Sequence, residues 1–477
     1  MAGIMIAAPR SGSGKTMVTC GLLVLLERKG FRPAAFKCGP DYIDGLFHRK
    51  VLGVESGNLD SFFEEPEHMR EKISQAGKDR FVVVEGVMGY FDGLGGVSVK
   101  SSSWEVAQIL SLPVILVIDA KGASLSLLAQ IQGFLEYIPR DENGEKITGK
   151  NRIAGILLNR VSPMIYGRIK ALAEEQFGIP VVGYVPELDF LKVGSRHLGL
   201  ILPDEIDGLK AQMEQLADCM EQTIDLETLA AVGGYEMAQT GTAAISMPYG
   251  AEGDRSVSSN ARFTLGVAMD EAFCFYYRDN LDAMEQAGAR LVYFSPLHDP
   301  EIPKDADGLL FGGGYPENYA KELSGRAMMR RSISDAARRG MPILGECGGY
   351  LYLLDLLQGT DKTDYAMAGV LSGRGFRSAK KGRFGYITLC ADETLPYLPS
   401  GMEIRGHEFH YWDCECRGEE YRMTARKPVG GRSWPCMRVS GRVMAGFPHL
   451  YYPSCPEFVS RFAEHCISFG KEVGHDI

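Results

Sequence analysis

The opening stretch, Gly3-Ile4-Met5-Ile6-Ala7-Ala8-Pro9-Arg10-Ser11-Gly12-Ser13-Gly14-Lys15-Thr16, decides the fold. Ile4 to Ala8 is an apolar run of strand length, and the glycine-rich Ser11 to Thr16 follows it at once. An apolar helix-forming stretch, Val18 to Arg28, comes next. Strand, glycine loop and helix start are the setting of a phosphate-binding loop. There the backbone N–H groups point at phosphate oxygens, a lysine adds a point charge and a hydroxyl can ligate Mg²⁺. Ser11, Gly12, Ser13, Gly14, Lys15 and Thr16 are therefore the nucleotide candidates. One departure is Pro9, which stands where the full pattern has glycine.

Further runs of the same kind follow: Phe81 to Glu85, Pro113 to Asp119, Ile153 to Asn159 and Val181 to Pro186. Continuous Val/Ile/Leu runs separated by helical stretches predict a parallel sheet covered on both faces. Ligands of such sheets bind beyond the carboxyl ends of the strands. Asn159 closes one run and joins the nucleotide candidates on that ground. Lys37, Asp41 and Asp44 share the loop after a second strand, and Glu85 and Asp92 flank another. A carboxylate ending a buried strand, as Glu85 does, is costly unless paired or metal-bound. Thr16 and Glu85 are accordingly the Mg²⁺ candidates.

The chain has 477 residues, enough for two large domains or three ordinary ones. Its net charge of −10 makes it a poor match for nucleic acid or anionic lipid. No apolar run reaches membrane-spanning length and no secretory leader is visible, so the reading expects neither a nucleic-acid nor a membrane partner. Its 11 scattered cysteines suggest a reducing, cytoplasmic setting. Cys414-Glu415-Cys416 has no second close pair and no histidine at ligand spacing, so these are read as plain cysteines.

A second alternating series starts at Phe263 and continues through Leu291 to Phe294, Gly308 to Phe311 and Pro342 to Leu344. It predicts a second α/β domain with some antiparallel strands near its end. Boundaries are read at 1–226, a linker over 227–260, a second domain over 261–465 and a tail over 466–477. Within the second domain, Gly345-Glu346-Cys347-Gly348-Gly349 follows a short strand and precedes a helical stretch, the layout of a nucleophile elbow with cysteine in place of serine. The helix start is expected to lower the thiol pKa and to offer oxyanion donors. His407, His410 and His449 are open candidates for its base.

In these motifs the chain resembles the cobyrinate/cobyrate glutamine amidotransferase family along nearly its whole length. The resemblance is carried by Ser11 to Thr16, Phe36 to Asp44, Asn58 to Asp60, Glu85 to Gly93, Arg196 to Leu200, Asp270 to Phe273, Gly312 to Glu317, Glu346 to Gly349 and Gly406 to Tyr411. It implies a P-loop, dethiobiotin-synthetase-like domain followed by a class I-type glutamine amidotransferase domain. It implies Cys347 as nucleophile and selects His449, 102 residues on, as its base. The wider group has a glutamate two residues after that histidine. Here Tyr451 stands there, and what orients His449 is left open.

The resemblance also carries over Asp41, Ile43, Asp44, Glu85 and Asp92, which with Lys37 form the expected substrate site. The implied activity is ATP-dependent, glutamine-hydrolysing amidation of the a- and c-carboxylates of cobyrinate. The same chemistry on hydrogenobyrinate or nickel-sirohydrochlorin stays open, as does a homodimer. A P-loop ATPase switch is the rival reading, since Arg10 sits where such switches often carry lysine. A cysteine elbow has no purpose in a switch, which argues against it.

Overall fold

The computed structural model describes residues 2–141, 143–188, 190, 208–235, 261–379, 383–416 and 421–475. The motif Arg196 to Leu200 lies outside them. The chain forms two compact units, Met1–Gly250 and Ala251–Ile477.

The first unit is built on a seven-stranded sheet: β1 (Gly3–Ala7), β2 (Pro33–Cys38), β3 (Ser56–Leu59), β4 (Phe81–Glu85), β5 (Val114–Asp119), β6 (Ile153–Asn159) and β7 (Val181–Val185). Their order is β3-β2-β4-β1-β5-β6-β7, parallel throughout. Successive side chains of a strand face opposite sides, and both sides are apolar here. Ile4 and Ile6 enter one core, whereas Met5 and Ala7 enter the other. Helix α1 (Lys15–Arg28) is buried without a break from Val18 to Leu26. A Cβ on Gly21 would meet Met220 Sδ at 2.4 Å, so only glycine lets the helix Leu209–Thr223 come this close.

Two boundaries move. The helix Leu226–Val232 belongs to the first unit, because the Gly3 amide donates to Gly233 O at 2.9 Å and Tyr235 stacks on Phe31. The stretch read as a linker therefore continues the first domain to residue 235, and 236–260 lies outside the described residues. The segment read as a tail is also not one. The helix Pro456–Val473 buries Phe458, Phe462, Cys466 and Phe469 against the second unit's sheet.

That sheet has ten strands. Its parallel part comprises β8 (Phe263–Ala268), β9 (Ala289–Phe294), β10 (Gly308–Phe311), β11 (Ile343–Glu346) and the strand Val443–Gly446. Antiparallel strands Ser433–Ser440, Tyr421–Arg426, Phe384–Ala391 and Glu403–Phe409 continue it, with His449–Leu450 on the last edge. The sheet curls strongly. Glu403–Phe409 is five strands from β11, yet Phe409 O lies 4.0 Å from Cys347 Sγ. A separate four-stranded sheet, which includes Leu371–Arg377 and Trp412–Glu415, covers the elbow helix Gly348–Leu353.

Candidate active sites

In the first unit the loops after β1, β2 and β4 meet in one buried polar cluster. The phosphate loop turns through Gly12 and Gly14, both at positive φ (80° and 95°). A Cβ on Gly14 would stand 2.2 Å from Asn159 Nδ2. That amide donates to Ser13 O at 2.9 Å, so the structure places Asn159 as a brace behind the loop. Lys15 is buried and donates to Met88 O in the loop after β4. Burial, then repulsion from Lys37, lowers its pKa to about 8.

Thr16 Oγ1 donates to Glu85 Oε1 at 2.6 Å. Lys37 Nζ lies 2.6 Å from the same oxygen and 2.5 Å from Asp44 Oδ2. Burial opposes the Lys37 charge, but Asp44 and Glu85 hold its pKa well above the ordinary value. Glu85 is wholly buried, and its second oxygen, Oε2, has no hydrogen-bond partner among the described residues. Such an atom is expensive unless something further binds it. Asp41 Oδ1 accepts from the amides of Ile43, at 2.9 Å, and Asp44, tying down the start of α2 (Ile43–Lys50). Burial, then Asp44, raises the Asp41 pKa to about 7. Asp92 Oδ2 accepts from the Gly89 amide at 3.0 Å and shapes the Met88 loop.

The structure thus gathers Lys15, Thr16, Lys37, Asp41, Asp44 and Glu85, with Asp92 bracing the adjacent loop. Asn58 was seen only as part of a motif. Its Nδ2 donates to Gly39 O and Asp41 O, at 2.9 and 2.8 Å, and holds the loop after β2. His48, missed entirely, is buried on α2, where burial lowers its pKa to about 4 and Nδ1 meets Ser56 Oγ at 3.1 Å. Beyond the carboxyl ends of β5, β6 and β7 a cavity of about 570 Å³ is lined by Ala120 to Ser124, Arg160 to Pro163, Ile165, Pro186 and Glu187.

In the second unit Cys347 joins β11 to the helix Gly348–Leu353 at φ 48°, ψ −101°. A non-glycine residue in that region is strained, as in a nucleophile elbow. The turn is held by the Cys347 amide on Gly446 O at 2.8 Å and the Gly349 amide on Gly312 O at 2.9 Å. A Cβ on Gly348 would stand 3.0 Å from Gly314 N, and one on Gly313 would stand 2.4 Å from His449 Cε1. Cys347, the glycine turn and His449 therefore converge. His407 stacks on His449 (4.9 Å, 18°) and meets the Tyr277 hydroxyl through Nδ1 at 3.0 Å. His410 stacks on Phe447 and contacts Trp412 O through Nδ1. Of the three histidines, His449 is the one set against the glycine turn.

The thiol expectation is overturned. Burial, then Glu317, raises the Cys347 pKa far above its ordinary value despite the Gly348 amide. Burial, then His410, lowers His449 to about 3. The resting pair is a neutral thiol and a neutral imidazole. Tyr451 turns away to Asp279, at 2.8 Å. The His449 strand is instead clamped at its next residues. Asn280 bonds Leu450 O and the Tyr452 amide, both at 2.8 Å, and buried Glu346 accepts from the Tyr452 hydroxyl at 2.8 Å and from Leu450.

The comparisons agree with this architecture. The CobQ/CobB/MinD/ParA nucleotide binding domain matches residues 4–201, and the CobB/CobQ-like glutamine amidotransferase domain matches 264–454. The protein is in the class of glutamine amidotransferases joined to a nucleotide-binding domain. Cobyrinate a,c-diamide synthase of Clostridium tetani is 35% identical over 470 residues, covering 97% of this chain and 100% of that one. That of Salmonella typhimurium is 36% identical over 478 residues, covering 98% of each, and that of Listeria innocua 37% over 460 residues, covering 95% and 97%. The chain belongs to the cobyrinate a,c-diamide synthase family, whose members are amide-forming ligases with glutamine as nitrogen donor.

Proposed function

We propose that this protein converts the a- and c-carboxylates of cobyrinate to amides, using ATP and glutamine. The observation that carries the reading is the pairing of a buried lysine–carboxylate cluster at a phosphate loop with a cysteine elbow on one chain. At the elbow, His449 takes the thiol proton as Cys347 Sγ attacks the glutamine amide carbon. The Gly314 and Gly348 amides are the donors for the oxygen that becomes negative. His449 then protonates the departing nitrogen, ammonia leaves and water hydrolyses the thioester to glutamate.

A carboxylate is a poor electrophile at neutral pH. Transfer of the ATP γ-phosphoryl group to it creates an acyl phosphate, from which ammonia displaces phosphate. In this unit Lys15 balances phosphate charge. Lys37 is held between Asp44 and Glu85, and two loops position the substrate: the one after β2, with Asp41 and Ile43, and the one after β4, with Asp92. Mg²⁺ fits the donor set, since buried Glu85 Oε2 is without a partner beside the Thr16 hydroxyl, a pair of hard oxygens suited to that ion. When bound it supplies charge neutralisation of the nucleotide phosphates. All reactants are small soluble molecules, and free cysteines suit a reducing cytoplasm. No helix among the described residues is long and apolar enough to cross a membrane.

The reading is tested by mass spectrometry of cobyrinate incubated with ATP, Mg²⁺ and amide-¹⁵N glutamine. Two labelled amides are expected. Hydrogenobyrinate and nickel-sirohydrochlorin run in parallel, and faster conversion of either would replace cobyrinate as the substrate.

Gly313→Ala pushes a methyl onto His449 Cε1, so glutamine hydrolysis should fall about a hundredfold, the usual result of misplacing a base by an ångström. Amidation with added ammonium should stay near wild type. Equal loss with both nitrogen sources would place Gly313 in the fold rather than in the site. A neutral resting thiol has a further consequence. Alkylation of Cys347 by iodoacetamide, without glutamine, should be slow at pH 7 and rise about tenfold per pH unit to at least pH 9. A plateau near neutrality would show that the thiol is already ionised.

A further inference from the structure

The pair Cys414 and Cys416 takes no part in either site. Cys414 lies in the strand Trp412–Glu415 and Cys416 directly follows its end. The two sulfurs are 3.1 Å apart. The Tyr350 hydroxyl lies 3.1 Å from Cys414 Sγ and 3.3 Å from Cys416 Sγ, and the Tyr421 hydroxyl lies 3.5 and 3.6 Å from them. Arg438, wholly buried, brings Nη1 to 3.5 Å from the Tyr350 hydroxyl.

A shared metal ion fits this poorly. Two thiolates on one tetrahedral Zn²⁺, about 2.3 Å from it, stand roughly 3.8 Å apart. Among the described residues no set of three or more His, Cys, Asp or Glu side chains is placed to hold a metal. Sulfurs at 3.1 Å are instead placed to bond with each other. The two are also unlike. The hydrogen bond with Cys414 lowers the Cys416 pKa to about 5 against the opposing effect of burial, with Tyr350, Tyr421 and Arg438 acting in the same direction as Cys414. The same bond, then burial, raises Cys414. One sulfur is ready to attack and the other to resolve, and both are only half-buried.

We propose that Cys414 and Cys416 form a redox-active dithiol that exchanges with small-molecule disulfides and closes reversibly beside the glutaminase elbow. The Cys416 thiolate attacks one sulfur of oxidised glutathione, forming a mixed disulfide and releasing one glutathione thiolate. Cys414 gives its proton to that thiolate and attacks Cys416 Sγ, expelling the second glutathione as a thiolate, which takes a proton from water. Two electrons pass from the dithiol to the reagent. The ring closed by neighbours two apart is strained, which keeps the bond easy to reduce.

Closure reaches the elbow through Tyr350, on the helix that starts directly after Cys347. Tyr350 packs edge-on against Phe447 (5.2 Å, 88°), which lies between Gly446, the acceptor of the Cys347 amide, and His449. Oxidation removes the thiolate that the Tyr350 hydroxyl meets and loosens the helix behind the nucleophile.

The test uses full-length Cys347→Ala protein, which lacks the competing nucleophile, in glutathione redox buffers. The peptide holding residues 414–416 should lose two hydrogens in mass and regain them with dithiothreitol. Cys414→Ser in that background should stop at a glutathione adduct on Cys416, and Cys416→Ser should give neither product. No disulfide at any buffer ratio, or an adduct carried by Cys414, would overturn the site. In protein with Cys347 intact, oxidation should lower glutamine hydrolysis about two- to tenfold, the worth of one hydrogen bond. The double variant Cys414→Ser/Cys416→Ser should not respond. This second readout rests on the glutaminase reading above, whereas the mass change does not. A disulfide that leaves hydrolysis unchanged would overturn the coupling.

Discussion

Cys347→Ser should remove glutamine-dependent amidation while leaving ammonia-dependent amidation in place. A serine hydroxyl in the same elbow keeps the size and the strained backbone. It is a far weaker nucleophile, and the neutral His449 beside it is too poor a base to make up the difference. The loss should be at least about 10⁴-fold, roughly 5.5 kcal/mol of barrier. The measurement compares diamide formation with glutamine against formation with high ammonium at alkaline pH, where free ammonia is plentiful. Equal loss with both donors would mean that the elbow does more than release ammonia.

Lys15→Ala should have the complementary effect. Amidation should fall about 10³-fold with either nitrogen source, because one of the two buried cations of the phosphate site is gone. Glutamine hydrolysis should persist at a basal level. Calorimetry should show weaker MgATP binding, and the pH dependence of that binding should lose the ionisation near 8 assigned to Lys15. Glu85→Gln separates charge from shape. It leaves Lys37 paired with Asp44 alone and should cost roughly a hundredfold in amidation at saturating ATP. Normal amidation by both variants, with unchanged ATP affinity, would make the glycine-lysine-threonine match accidental.

Much of this was legible in the residues. Runs such as Phe81 to Glu85 and Ile153 to Asn159 reappear as β4 and β6 with the same ends, since a strand buried on both faces must be apolar throughout. β3 escaped notice because Ser56-Gly57-Asn58-Leu59 is a short edge strand with one neighbour and no apolar run. The domain boundary at 465 falls inside the helix Pro456–Val473, where Cys466, Phe469 and Gly470 continue its buried stripe.

In the sites, the charged residues announced themselves and their supports did not. Glu346 looks like any polar residue before a nucleophile until Tyr452 and Leu450, more than 100 positions on, are seen to end on it. Asn58 and Asn280 act by bonding backbone groups that no sequence pattern encodes. The error about the thiol has a physical source. The helix start was expected to dominate, but the six-residue helix Gly348–Leu353 is too weak to offset near-complete burial.

The Lys15 contact with Met88 O ties the phosphate-loop lysine to the loop that Asp92 shapes, so the two loops share one ammonium. A phosphate bound by the remaining N–H groups of Lys15 is therefore felt at the loop after β4. Amide hydrogen exchange over residues 86–93 should register the change on adding MgATP, and Lys15→Ala should leave the loop in one state with or without it.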